Sequence, residues 1–121
     1  MRTCLLLALL VACKGEGAPG RPAEITARAW DAHALVIAAG ERARTCAEAG
    51  VAMQRVFAEN RAAFVAAMTL DQDKQRLAEA AAYIEANERR YRDLDTRMEA
   101  LSDRCADDAT VQAAFDQMSS P

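Results

Sequence analysis

A single histidine, His33, stands in 121 residues, and no Cys-x-x-Cys pair occurs anywhere. One imidazole with no second histidine and no spare thiol cannot complete a zinc set, and no Cys-x-x-Cys-His haem attachment is present. Aromatic residues are only 5% of the chain, while alanine dominates a hydrophobic fraction of 52%. That mix favours closely packed helices, because strands concentrate branched and aromatic side chains. A phosphate loop is also missing: no Gly-Lys-Ser or Gly-Lys-Thr occurs, and the N-terminal glycines precede no strand-like run. Basic charge is not in excess, and a net charge of -3 gives no general attraction to nucleic acid. What remains is an all-α chain with room for one modest core and no visible catalytic machinery.

The longest apolar run, Cys4 to Ala12, is far short of the roughly 20 residues a membrane-crossing helix needs. Behind Arg2 it suits the core of a secretory signal. The run closes on Leu10, Val11, Ala12 and Cys13. This Leu-Val-Ala-Cys resembles the lipobox of bacterial lipoproteins. The resemblance implies cleavage before Cys13, with the new terminal cysteine carrying diacylglycerol and a further acyl chain such as palmitate. It also implies a place in the cell envelope. Lys14 is not the aspartate associated with inner-membrane retention, so the periplasmic face of the outer membrane is favoured in a Gram-negative cell. Lys14 to Pro22 holds three glycines and two prolines and reads as a flexible spacer. The expected organisation is a signal peptide over 1–12, a lipidated cysteine and tether over 13–22, and one helical domain over 23–121.

Within that domain, an apolar stripe steps by three and four from Ile25 through Ala29, Ala32, Val36, Ala39, Ala43 and Cys46. It continues in phase through Gly50, Met53, Phe57, Asn60, Phe64 and Met68. Gly40 and Gly50 each cost about 1 kcal/mol relative to alanine in a helix interior, so either is a place for a bend or break, and one near Gly50 is favoured. Thr69 to Asp73 reads as a hairpin turn, its oxygen-bearing side chains suited to capping. Beyond it a seven-residue series runs Leu70, Leu77, Ile84, Tyr91, Met98, Cys105, with Asp73, Ala80, Asn87, Leu94 and Leu101 three residues on, so the paired apolar seam is incomplete at its start and complete near its end. Such a seam lies along another helix in a coiled coil. Glu85, Arg89, Asp93 and Arg97 alternate in sign on a solvated face, with Glu88 set before Arg92. Val111, Ala114, Phe115 and Met118 define a short last helix expected to fold back on the seam. The predicted architecture is therefore a long antiparallel helical hairpin, or small helical bundle, closed by a short C-terminal helix.

Cys46 and Cys105 are the two cysteines left to the folded part, and a bridge between them closes a loop of about 60 residues, stabilising by about 4 kcal/mol in the chain-entropy model. A redox pair is the weaker reading, because catalytic dithiols lie close in sequence. In a straight hairpin Cys46 faces about residue 96, so the bridge requires the second arm to end near Leu101 or Ser102 and double back, or Gly50 to shift the partner. Trp30, Leu35 and Ile37 fall partly off the stripe, so the first helix is either covered on more than one side or exposes an apolar patch, and the three residues are the candidate partner surface. His33 reads as a lone helical histidine and not as a ligand. Met53, Met68, Met98 and Met118 read as packing residues and not as copper ligands. Asp71 with Asp73 and Asp107 with Asp108 suit helix starts, and Arg89 with Arg90 reads as half of the charge ladder. The expected function is non-enzymatic and cofactor-free: a lipid-anchored domain presenting a helical surface to a protein partner or a second copy of itself. A periplasmic chaperone and a small-ligand carrier are the alternatives.

Overall fold

The computed structural model describes residues 20–121, and in them the chain is all α-helical apart from one 3-10 turn. The proposed signal, Cys13 and most of the tether lie outside the described residues. Helix α1 spans Pro22–Arg42, with Pro22 in its first turn, where a missing N–H costs nothing. The first helix thus begins at Pro22, the last residue of the expected tether. Glu24 near its start and Arg42 near its end suit the helix dipole.

The first break comes at Ala43 to Thr45, not at Gly50. Thr45 caps α2 (Cys46–Glu59), its side chain accepting from the Glu48 amide at 3.1 Å, and the Glu48 carboxylate accepts in return from the Arg44 amide at 3.3 Å. This is a capping box displaced by one residue. Gly50 is buried inside α2, where its missing side chain lets another helix approach. A Cβ there would lie 2.0 Å from Thr110 Oγ1 and 2.6 Å from the Thr110 carbonyl carbon.

Helix α2 leads through Asn60 into α3 (Arg61–Met68) and a 3-10 turn over Thr69–Gln72. Asp73 then starts α4 (Lys74–Ala86) by accepting from the amides of Gln75 at 2.8 Å and Arg76 at 3.2 Å. Asn87 separates α4 from α5 (Glu88–Arg104). Asn60 and Asn87 behave alike: each side-chain amide donates to the carbonyl four residues back, at 2.8 Å. Both leave the helical path without reversing the chain. After Cys105 the chain turns, and Asp108 caps α6 (Ala109–Ser119), accepting from the amides of Thr110 and Val111.

The four passes alternate in direction. His33 of α1 stacks on Phe64 of α3 with centroids 4.5 Å apart, so α2 and α3 return antiparallel to α1. Tyr91 near Thr26 and Arg97 on Glu41 set α5 parallel to α1. Gln54 donates to the Thr110 carbonyl, and Arg61 to that of Pro121, so α6 runs parallel to α2 and α3. The result is a small helical bundle in which α1, α2 with α3, α5 and α6 alternate in direction. Helix α6 docks on α2 instead of folding back on the seam, because Gly50 opens the seat there.

The main core gathers Val36 and Ile37 of α1, Ala49 and Met53 of α2, Phe64 of α3, Leu94 and Leu101 of α5, and Val111 and Ala114 of α6. Ile25, Leu70 and Ala80 form a smaller cluster near the start of α1. The seven-residue seam divides between these regions. Leu70 and Cys105 are buried and Tyr91 and Met98 half-buried, but Leu77 and Ile84 remain 45% and 40% exposed. In the companion series Ala80, Leu94 and Leu101 face inward, whereas Asp73 is exposed and Asn87 half-buried. Met53 and Met118 are buried and Met98 packs on the core, whereas Met68, at 52% exposure, departs from the expected packing role.

Candidate functional site

The bridge expected from the cysteines is present: Cys46 Sγ and Cys105 Sγ are 2.07 Å apart, and the Cα atoms 5.6 Å. The register problem disappears because the chain reverses just before Cys46. The first residue of α2 therefore sits beside the end of α1, and parallel α5 delivers Cys105 to the same end of the bundle.

Trp30, Leu35 and Ile37 do not share a surface. Ile37 is fully buried in the core, Leu35 is 53% exposed, and Trp30 is half-buried. Helical spacing explains the dispersal: α1 is packed against α2, α3, α4 and α5, so residues off the main stripe also meet neighbours.

Trp30 instead walls a notch between α1 and α5. From α1 come Thr26, Ala29, Trp30 and His33, and from α5 Tyr91, Leu94, Asp95 and Met98, around a cavity of about 210 Å³. Tyr91 meets Trp30 edge-on, centroids 5.8 Å apart, and Tyr83 meets Tyr91 edge-on at 6.4 Å. The Arg90 guanidinium sits 4.1 Å from the centroid of the Trp30 ring and 3.8 Å from the Asp31 carboxylate. Arg90 is therefore committed to a cation–π contact and to an ion pair across helices, not to a ladder along α5. Arg97 likewise crosses to α1, gripping Glu41 with two hydrogen bonds of 3.1 and 2.7 Å. Of the expected charge pairs along the helix, Glu88 with Arg92 is formed.

Two ionisable rings, His33 and Tyr91, line this notch together with the Asp95 carboxylate. Burial pushes the His33 imidazole below its ordinary value of 6.5, against weaker opposite effects from the Ala29 carbonyl and Asp95. His33 Nδ1 lies 2.8 Å from the Ala29 carbonyl oxygen, an acceptor only, so that nitrogen carries the proton and Nε2 keeps the lone pair of the neutral ring. Burial, aided by Tyr83, pushes the Tyr91 phenol up to about 12, and its hydroxyl donates weakly to the Thr26 carbonyl at 3.5 Å. One group is left over: Trp30 Nε1 is buried and has no acceptor.

A second feature is the outer side of α4. Leu77, Ala78, Ala81, Ala82 and Ile84 are all exposed, and Ala80 is the only residue of the helix that is buried. Leu77, Ala81 and Ile84 follow one another at four and three residues, the spacing of a helical contact stripe. Leu77 and Ile84 were legible as seam residues; that they stand in water in this fold was not.

Asp73 and Asp108 cap helices as expected, whereas Asp71 lies within the 3-10 turn and Asp107 in the loop before α6. Among the described residues, no three His, Cys, Asp or Glu side chains converge in a way that would hold a metal ion. No helix among them is long and apolar enough to cross a membrane. No protein-family model, curated protein or solved structure shows a significant match to this chain.

Proposed function

We propose that the chain is an exported lipoprotein, anchored through acylated Cys13, whose helical domain engages a protein partner without catalysing a reaction. The outer face of α4 carries this reading. Leu77 and Ile84 keep 45% and 40% of their surface in water, and the exposed alanines beside them let another helix come close. Such a stripe fits recognition by a helix laid in a shallow groove. Leu10 to Cys13 supplies the membrane address. The Cys46–Cys105 bridge accords with maturation in an oxidising compartment, since structural disulfides are rare in reducing ones. In a cell with two membranes, Lys14 after the cysteine favours the periplasmic face of the outer one. Acylation supplies about 0.8 kcal/mol per buried methylene, and two or more chains hold a protein stably on a bilayer.

The test joins two measurements on the protein made in its own cell. A photo-crosslinker at Ala81 is expected to capture one defined protein, and the Leu77→Asp/Ile84→Asp double variant to lose it. Mass spectrometry of the membrane-extracted chain is expected to find an acylated N-terminal Cys13. An adduct of twice the chain mass would replace the external partner with a second copy. Absence of any adduct, or an unprocessed N-terminus, would overturn the corresponding half of the reading.

A further inference from the structure

The two ends of α4 carry charges that oppose the helix they belong to. Lys74 is its first residue and Glu85 stands in its last turn, with no acid in the first turn and no base in the last. A cation at the positive end of a helix dipole and an anion at the negative end are both unfavourable. Helices α1 and α5 have the favourable order, Glu24 before Arg42 and Glu88 before Arg104. The described fold does not offset the cost in α4: Lys74 and Glu85 are exposed, and among the described residues neither takes part in an ion pair.

Position completes the pattern. Eleven residues separate Lys74 from Glu85, close to three helical turns, so the two lie on one face about 16 Å apart along the axis. Between them Ala78, Ala81 and Ala82 line a shallow depression, with Leu77 and Ile84 along one edge. A face that is positive at one end, negative at the other and apolar with small residues between is complementary to itself turned end for end.

We infer that α4 pairs with the α4 of a second copy of this chain, antiparallel, about a two-fold axis between Ala78 and Ala81. This rests on the reading of the α4 face as a contact surface and names its occupant. Lys74 of each copy meets Glu85 of the other and lies beside the negative end of that helix's dipole, so both opposed charges become favourable. Leu77 lies opposite Ile84 of the second copy, and the alanines let the two backbones approach. A parallel pair would instead set Lys74 against Lys74 and Glu85 against Glu85. The face of a 13-residue helix is about 20 Å long and smaller than the roughly 800 Å² per partner of a standard interface, so the pairing is weak in free solution.

The test uses the full chain purified from its own cell, unlabelled and ¹⁵N-labelled forms mixed at roughly 0.5 mM to suit an interface of this size, and a zero-length carbodiimide. The reagent joins an amine to a carboxylate only in direct contact, and Lys74 cannot reach Glu85 along its own helix. Lys74 is the only lysine in residues 20–121, which makes the product unambiguous. The expected tryptic species is residues 62–76 of one isotope linked through Lys74 to Glu85 in residues 77–89 of the other. In sedimentation equilibrium, Lys74→Glu or Glu85→Lys alone should weaken self-association about tenfold, since the symmetry turns two attractions into two repulsions. The double variant Lys74→Glu/Glu85→Lys should restore it. Each single change suits the helix dipole, so lost association would not reflect a lost α4. Absence of the mixed-isotope linkage, or a double variant as weak as the singles, would overturn the inference. If the crosslinker at Ala81 captures a different protein while the purified chain stays monomeric, the contact face stands and its self-pairing falls; if it captures nothing, both fall.

Discussion

At Gly50 the decisive neighbour is Thr110, whose backbone as well as its side chain crowds the position. The position that a Cβ would occupy is 2.6 Å from the Thr110 carbonyl carbon, so a side chain there cannot be accommodated by a rotamer change alone. Gly50→Ala gains about 1 kcal/mol of helix propensity. It must also displace α6 from α2, and overpacking of this kind typically costs about 1–3 kcal/mol. The net expectation is destabilisation in urea unfolding, only partly relieved by Thr110→Ala, because the backbone atom remains. Gly40 provides the internal comparison. A Cβ there meets Leu101 Cδ2 at 2.7 Å and Met53 Sδ at 2.8 Å, the far ends of flexible side chains. Gly40→Ala should therefore cost clearly less than Gly50→Ala; equal costs would mean that α6 is not seated as closely as described. The same pair shows where residue-level reading reached its limit. Sequence gives the propensity penalty of a glycine in a helix, but the compensating approach comes from a residue sixty positions later. Ile37 shows a related limit: its off-stripe position allowed a helix covered on more than one side or an exposed patch, and only the packing of four helices on α1 decides for the first.

Among the elements, α4 is the least anchored. It buries Ala80 alone, whereas α1 buries residues along its whole length. Its start depends on the Asp73 cap, and Arg76 ties it to the Gly20 carbonyl at 3.2 Å. Segments with few buried apolar contacts open at lower free energy than the core. Amides of α4 are therefore expected to exchange with deuterium about tenfold or more faster than those of α1 and α2. Asp73→Ala should speed them further, by the factor of about five that corresponds to roughly 1 kcal/mol for a lost cap, while the core stays protected. Uniform protection across α1, α2 and α4 would contradict the assignment. Local chemistry made several of these boundaries readable: Asp73 and the alternation of apolar residues announced α4, and Val111 to Met118 announced α6. Thr45 and Glu48, three residues apart, carried a capping-box signal for the first turn that the glycine at 50 obscured. Asn87 was harder to see, since it occupies a companion position of the seam without interrupting the apolar rhythm of Tyr91 and Met98. The exposed stripe was partly legible for the same reason. Leu77 and Ile84 have the spacing of core residues, and only the tertiary arrangement shows that α1 covers the Ala80 side of their helix.

For the whole molecule, the bridge joins the second pass of the bundle to the end of the third and closes most of the domain into one loop. Cys46 and Cys105 are 59 positions apart, and α6 continues from the second of them onto α2. Oxidation therefore restrains the unfolded chain over the segment that carries about half of the buried apolar residues, the rest coming from α1 and α6. For a loop of about 60 residues the chain-entropy model gives about 4 kcal/mol, comparable to a large share of the total stability of a small domain. With a urea slope of about 1–2 kcal/mol/M, reduction should lower the unfolding midpoint by about 2–4 M. The Cys46→Ala/Cys105→Ala variant should behave like the reduced protein, with a further small loss because Cys105 is only 2% exposed and its sulfur packs in the core. Chemical proof of the connection is direct. Trypsin cuts after Arg44, Arg55 and Arg104, so the oxidised chain is expected to give one linked species made of residues 45–55 and 105–121. Separate peptides from protein collected without reductant, or coincident unfolding curves with and without reductant, would remove the bridge as the clamp on the fold. The sequence-level pairing of these cysteines rested on elimination, and its geometric objection assumed two straight arms. Three reversals of direction dispose of that objection, because they bring the start of α2 and the end of α5 to the same end of the bundle.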